Sequence, residues 1–229
     1  MFRKINIKII ILLVVVFVLF PRNKALAQQT LFNVPSADVL EKGQIFLQHE
    51  SQFSGDFGLF TNYASYGTGK YTELDLTLFG VGTKNIRNEV LGIGFKTVLP
   101  LHKRSETKFT IGNIIPISLR GNGVGGYFYS HLSTRLQKTK TRFTSGVLAG
   151  TTTLLGRDIA CYIGAIEQPI TKRFGLQMDY HSGKHANGFL IPGFYYSFPR
   201  NTTLWVGYQI HNNKANGDNG FVIELSRIF

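Results

Sequence analysis

From residue 44 to residue 229 the chain alternates apolar and polar side chains at period two. The stretches are nine to thirteen residues long, and turn chemistry interrupts each one. Glu73-Leu74-Asp75-Leu76-Thr77-Leu78 is the clearest case: the leucines must share one face, and Glu73, Asp75 and Thr77 the other. Twelve such segments can be laid out, at 44–53, 59–67, 72–80, 90–99, 108–119, 125–137, 142–154, 159–170, 175–183, 188–198, 203–212 and 221–229. About ten residues is the length a tilted strand needs to cross a bilayer. The pattern therefore predicts an all-β fold, a closed antiparallel transmembrane β-barrel of twelve strands, with ten strands as the alternative.

Composition supports strands and turns. Nineteen Phe, ten Tyr and 25 Gly stand against two Met and one Trp, and aromatic residues suit a pleated surface as glycine suits tight turns. Cys161 is the one cysteine, so no internal disulfide can hold the fold. Pro116, Pro169 and Pro192 fall inside expected strands. Each removes a ladder hydrogen bond, so bulges are expected there.

Periodicity does not tell a soluble sandwich from a membrane barrel, because the two differ only in which face is wet. The N-terminus bears on this. Arg3, Lys4 and Lys8 precede an apolar run, Ile9 to Phe20; Pro21 breaks it, and Ala25-Leu26-Ala27 offers a signal-peptidase site. The run is 12 residues, too short to span a bilayer. The expected organisation is a signal peptide at 1–27, a periplasmic lead-in at 28–42 and a barrel at 43–229. Cleavage removes five cations and leaves 20 Lys and Arg against 13 acids. That balance favours anionic partners, but basic blocks and a recognition helix are missing, so nucleic acid is not an expected partner.

The chain ends Phe221-Val222-Ile223-Glu224-Leu225-Ser226-Arg227-Ile228-Phe229. Its terminal Phe229, preceded by Leu225, Ile223 and Phe221 at alternate positions, resembles the closing strand of bacterial outer-membrane β-barrels. The resemblance implies an outer-membrane address, contact with outer-membrane lipids, and recognition of Phe221, Ile223, Leu225 and Phe229 by the barrel assembly machinery. Arg227 departs from the pattern, standing where an apolar or aromatic residue is commoner. Residues 33–44 also resemble the opening of other bacterial barrels, a likeness that brings no activity with it.

With an even strand number both termini lie at one rim. The turns of that rim hold nine Lys and Arg against Glu106, whereas the opposite loops are nearly neutral. The loops are too short to form a plug or lid. Strand parity points Glu50, Glu73, Asp75, Lys96, Arg120, Arg135, Asp179, His181 and Glu224 into the lumen, joined by Tyr127, Tyr129, His131, Gln177, Trp205 and Gln209. Such mixed charge fits either a small water-filled pore or a lumen filled by its own ion pairs. Small porins for acidic sugars match in size and strand count, an analogy of dimensions only.

Catalytic patterns are weak. Ser130 and Ser182 lie on the faces opposite their neighbours His131 and His181, so neither pair can act as nucleophile and base. Asp179 and His181 share a face but lack a nucleophile. Gly121 to Gly126 matches G-x-G-x-x-G, yet a strand follows where a phosphate-binding helix would be needed. His181 and His185, four apart on a strand running into a loop, do not make a metal site. The expected function is a passive channel for small solutes without cofactor or metal; the alternatives are a plugged structural barrel and, more remotely, a lipid-modifying enzyme.

Overall fold

A computed structural model describes residues 31–55, 57–83, 87–121, 123–152 and 159–229. The targeting segment 1–27 and residues 28–30 lie outside these. Twelve antiparallel strands form the wall: β1 (Ile45–Ser54), β2 (Phe57–Gly69), β3 (Thr72–Gly82), β4 (Arg87–His102), β5 (Thr107–Ser118), β6 (Tyr127–Arg135), β7 (Arg142–Gly150), β8 (Ala160–Pro169), β9 (Phe174–His181), β10 (Phe189–Phe198), β11 (Thr202–His211) and β12 (Gly220–Ile228). Each strand pairs with its sequence neighbours, and β1 pairs with β12 from Phe46 opposite Ile228 to Ser54 opposite Gly220. Closure leaves no sheet edge, the condition for crossing hydrocarbon, where water cannot satisfy an open N–H or C=O.

The burial pattern is inside out relative to a soluble protein. On β3, Leu74 and Leu76 are 54% and 48% exposed, whereas Glu73 and Thr77 are 0% and 2% exposed. On β9, Leu176, Met178 and Tyr180 face out while Gln177, Asp179 and His181 are buried. On β12, Phe221, Ile223 and Leu225 face out and Val222, Glu224 and Ser226 face in. An apolar belt of this extent is a surface made for lipid.

The rim that carries the termini is closed tightly. Lys70-Tyr71 both have positive φ (50° and 69°) between paired Gly69 and Thr72, the two-residue geometry whose twist matches flanking strands, and Arg200 and Asn201 (64° and 54°) lie in the short connection between paired Phe198 and Thr202. The longer connections lie at the far rim.

The bulges do not fall at the three prolines expected to cause them. Register shifts occur at Phe60/Asn62, Gly67/Gly69, Phe79/Val81 and Pro100/His102. Pro116 pairs in register with Gly92, and its carbonyl accepts from Gly125 N–H. Its nitrogen therefore also faces the β6 side, beyond the last β5–β6 ladder pair, where no donor is required. Pro169 is the last residue of β8, and Pro192 sits where the β10–β11 ladder opens without changing register.

Arg227 is 1% exposed, with its guanidinium carbon 4.7 Å from the centroid of the Phe229 ring. The aromatic ring lies against the cation and offsets part of the cost of burying it.

Candidate functional site

The lumen holds the N-terminal segment of the chain. Residues 31–42, expected in the periplasm, instead run up inside the barrel from the termini rim, and Leu31, Phe32, Val34, Ala37 and Leu40 are buried. Leu31 and Val34 pack on Tyr129, Leu148, Cys161, Ile163 and Ala165. Phe32 packs on Phe189, Ile191, Trp205 and Val222. Leu40 packs on Phe46 and Ile228, close to Tyr63. The wall is shaped for this insertion: a Cβ at Gly193 or Gly207 would lie 2.5 or 2.6 Å from Phe32 Cζ. These strand glycines are where another part of the chain approaches closely. Among the described residues the N-terminal segment takes the place of a plug.

Polar groups anchor the segment. Asp179 Oδ2 accepts the backbone N–H groups of Phe32, Asn33 and Val34, each at 2.8 Å. Glu73 Oε2 accepts Leu40 N–H at 3.0 Å. Asp38 pairs with Arg142 at 2.6 Å and Lys108 at 3.1 Å, and Lys108 also donates to the Ala37 carbonyl at 3.0 Å. Burial pushes the Asp38 carboxyl up, but the two cations beside it more than reverse this and hold it well below the usual carboxylate range. Because the folded value is depressed, this latch is fully formed above the ordinary carboxylate pKa and persists into mild acid.

Beside the segment a cavity of about 460 Å³ remains, reaching from Asn33 and Pro35 to the far-rim residues Ala186, Asn187, Asn216 and Gly217. Glu50, Glu73, Asp75, Lys96 and His181 line it. Glu73 and Lys96, 0% and 1% exposed, form an ion pair of 2.8 Å. Asp75 accepts from the Ser65 hydroxyl at 2.6 Å. Glu50 accepts from Tyr63 Oη at 3.2 Å and stands opposite Glu224, which accepts from Gln48 Nε2 at 3.1 Å. His181 stacks on Phe189 with ring centroids 4.6 Å apart. Tyr129, His131, Gln177, Trp205 and Gln209 are also buried inside, and Tyr127 lines the cavity.

One candidate lies elsewhere, and another stands on the inner face at the lumen's edge. Arg120 is not in the lumen: β5 ends at Ser118, and Arg120 sits half-exposed at the far rim with two contacts to Glu89, at 2.8 and 3.0 Å. Arg135, the last residue of β6, pairs with Glu106 at 2.9 Å at the mouth of the termini rim. Asp179 Oδ2 holds the N-terminal segment, and no hydrogen bond joins Asp179 to His181 among the described residues. Among the described residues, no cluster of three or more His, Cys, Asp or Glu side chains could hold a metal.

Sequence reading missed Asp38, Lys108 and Arg142 as lumen groups. Arg142 is one of the nine basic residues that the sequence places in the turns of the termini rim, although its parity with Thr144 on β7 puts both on the inner face.

Cys161 reports on the segment. It is 7% exposed and covered by Leu31 and Val34. A water-soluble maleimide is expected to label it slowly in the folded barrel and much faster in Leu31→Ala/Val34→Ala. Equal rates in the two proteins would mean that the segment does not cover this thiol.

No protein-family model and no curated protein matches the chain. Solved structures do. The NanC porin superposes with a TM-score of 0.56 at 13% identity, over 80% of this chain and 98% of that one. The KdgM porin, solved in complex with oligogalacturonate, gives 0.55 at 12% identity over 81% and 99%. The outer-membrane protein Omp33 of Acinetobacter baumannii gives 0.50 at 9% identity over 82% and 99%. At these identities the likeness defines the fold: the chain has the architecture of the bacterial outer-membrane β-barrels.

Proposed function

We propose that the protein is a porin-like channel for small solutes in the bacterial outer membrane, closed at rest by its own residues 31–42. The observation that carries this reading is the cavity, lined by aromatic and apolar side chains with a few charged groups among them, that runs from the N-terminal segment to the far-rim loops. A barrel serving only as a membrane scaffold needs no such space, since side chains can fill it. The lipid-facing belt suits residence in the membrane. Export would proceed by cleavage after Ala27, and assembly through recognition of Phe221, Ile223, Leu225 and Phe229. No catalytic role is proposed.

The competing reading is a permanently plugged structural barrel, favoured by the same N-terminal segment. Planar-bilayer recording separates the two. The refolded chain 28–229 is expected to show a mostly closed baseline with discrete, brief openings, and a variant with the segment released should stay open. A folded, inserted barrel that is silent in both forms would leave the plugged reading standing.

A further inference from the structure

We infer that the cavity takes a small organic cation, with the carboxylates of Glu50 and Glu224 as its countercharge. This rests on the channel reading above and specifies the solute class.

Glu50 and Glu224 are directly opposite in the β1–β12 ladder, and both point inward. Directly opposed side chains lie about 5 Å apart at Cβ, and like charges so placed repel. They are also poorly solvated, at 6% and 0% exposure. Among the described residues no Lys or Arg forms an ion pair with either. Lys96, the cation lining the cavity, is engaged by Glu73. Two buried acceptor atoms in the same patch, Glu224 Oε1 and Gln48 Oε1, have no hydrogen-bond partner. Gln48 and Glu50 line the cavity, and Glu224 is joined to it through Gln48; buried acceptors are normally satisfied, so the open Gln48 oxygen marks a place for a donor.

Every element of the patch asks for the same chemistry. Carboxyls opposed at this distance share a proton, and the negative charge left on the pair has no cation beside it and asks for one; the open acceptors ask for N–H or O–H. The rings of Tyr63, Phe79 and Tyr127 line the same cavity and present π faces that attract a desolvated ammonium. An anionic sugar, such as the ligand named with the KdgM barrel, would meet repulsion here. The cavity is thus set apart by charge from a barrel it resembles in shape.

The test is calorimetric titration of the detergent-refolded chain 28–229 at pH 8 with choline chloride and, separately, sodium galacturonate. Heat-modifiable gel migration serves as the folding check. Choline is expected to bind saturably and galacturonate not to. Glu50→Gln and Glu50→Gln/Glu224→Gln should weaken choline by about tenfold or more, while Arg120→Gln at the rim leaves it unchanged. Galacturonate binding more tightly than choline, a folded barrel that binds no choline, or an affinity that the glutamine variants do not alter would each overturn the inference. The readout needs no current, so a barrel that binds choline but is silent both with the segment docked and with it released would refute the channel reading while the cation site stands.

Discussion

Asp179→Ala is expected to turn the proposed mostly closed barrel into a mostly open one. The carboxylate holds three consecutive backbone N–H groups with one oxygen, at 2.8 Å each. Hydrogen bonds to a charged acceptor contribute about 1.5–3 kcal/mol, and a buried donor left without its acceptor costs about 1–3 kcal/mol. The three bonds share one acceptor and do not add, so a net loss of about 3–4 kcal/mol from the docked state is expected. At 1.4 kcal/mol per factor of ten, docking weakens by two to three orders of magnitude. The wall should survive, because its backbone ladder does not pass through that side chain. The check is the open fraction in single-channel records, with Cys161 labelling as a second readout. Phe32→Ala tests the same step by another route, since it empties the space left by Gly193 and Gly207 and keeps the Asp179 carboxylate. Labelling that stays slow in both variants would mean that the segment is held by its remaining contacts and that Asp179 is not its main anchor.

The wall could be read from the sequence because it is built on a local rule. Period two at Glu73 to Leu78 assigns faces without any knowledge of partners, and these faces are the ones observed. The rule fails where the strand stops. Extending parity beyond Ser118 put Arg120 in the lumen, but the chain has already turned there. The interior of the lumen obeys no local rule. Leu31, Phe32, Val34, Ala37 and Leu40 follow neither strand nor helix spacing, and a short irregular stretch before a barrel reads as a linker. Its fate is decided by partners far along the chain: Asp38 meets Arg142 across 104 residues, and Val34 meets Asp179 across 145. One signal was present. Gly193 and Gly207 interrupt strands that otherwise carry large side chains, and a strand glycine marks close approach by another backbone or ring. The prolines misled for a related reason: a strand tolerates proline wherever its nitrogen faces no ladder partner, and register decides that.

Lys96→Met should be the most destabilising single change in the wall. Glu73 is fully buried and Lys96 is 1% exposed, with 2.8 Å between their charged atoms. Removing one member of a buried pair strands the other charge, at a cost of about 3–5 kcal/mol. Losing both members avoids that penalty, since a buried pair is already offset by the desolvation of its two charges. Glu73→Gln/Lys96→Met should therefore unfold close to the parent, well above Lys96→Met. Trp205 is the one tryptophan, and it is buried at 3% exposure, so urea unfolding in lipid vesicles can be followed by its fluorescence alone. The double variant also retains Glu50 and Glu224, and glutamine at 73 can still accept the Leu40 N–H. It removes one negative and one positive charge together, so choline binding should persist in it. If the double variant were as unstable as the single one, the pair would be an essential strut of the wall. The expected recovery instead makes it a matched pair that neutralises one side of the lumen, which leaves Glu50 as a lining acid with no Lys or Arg ion pair among the described residues.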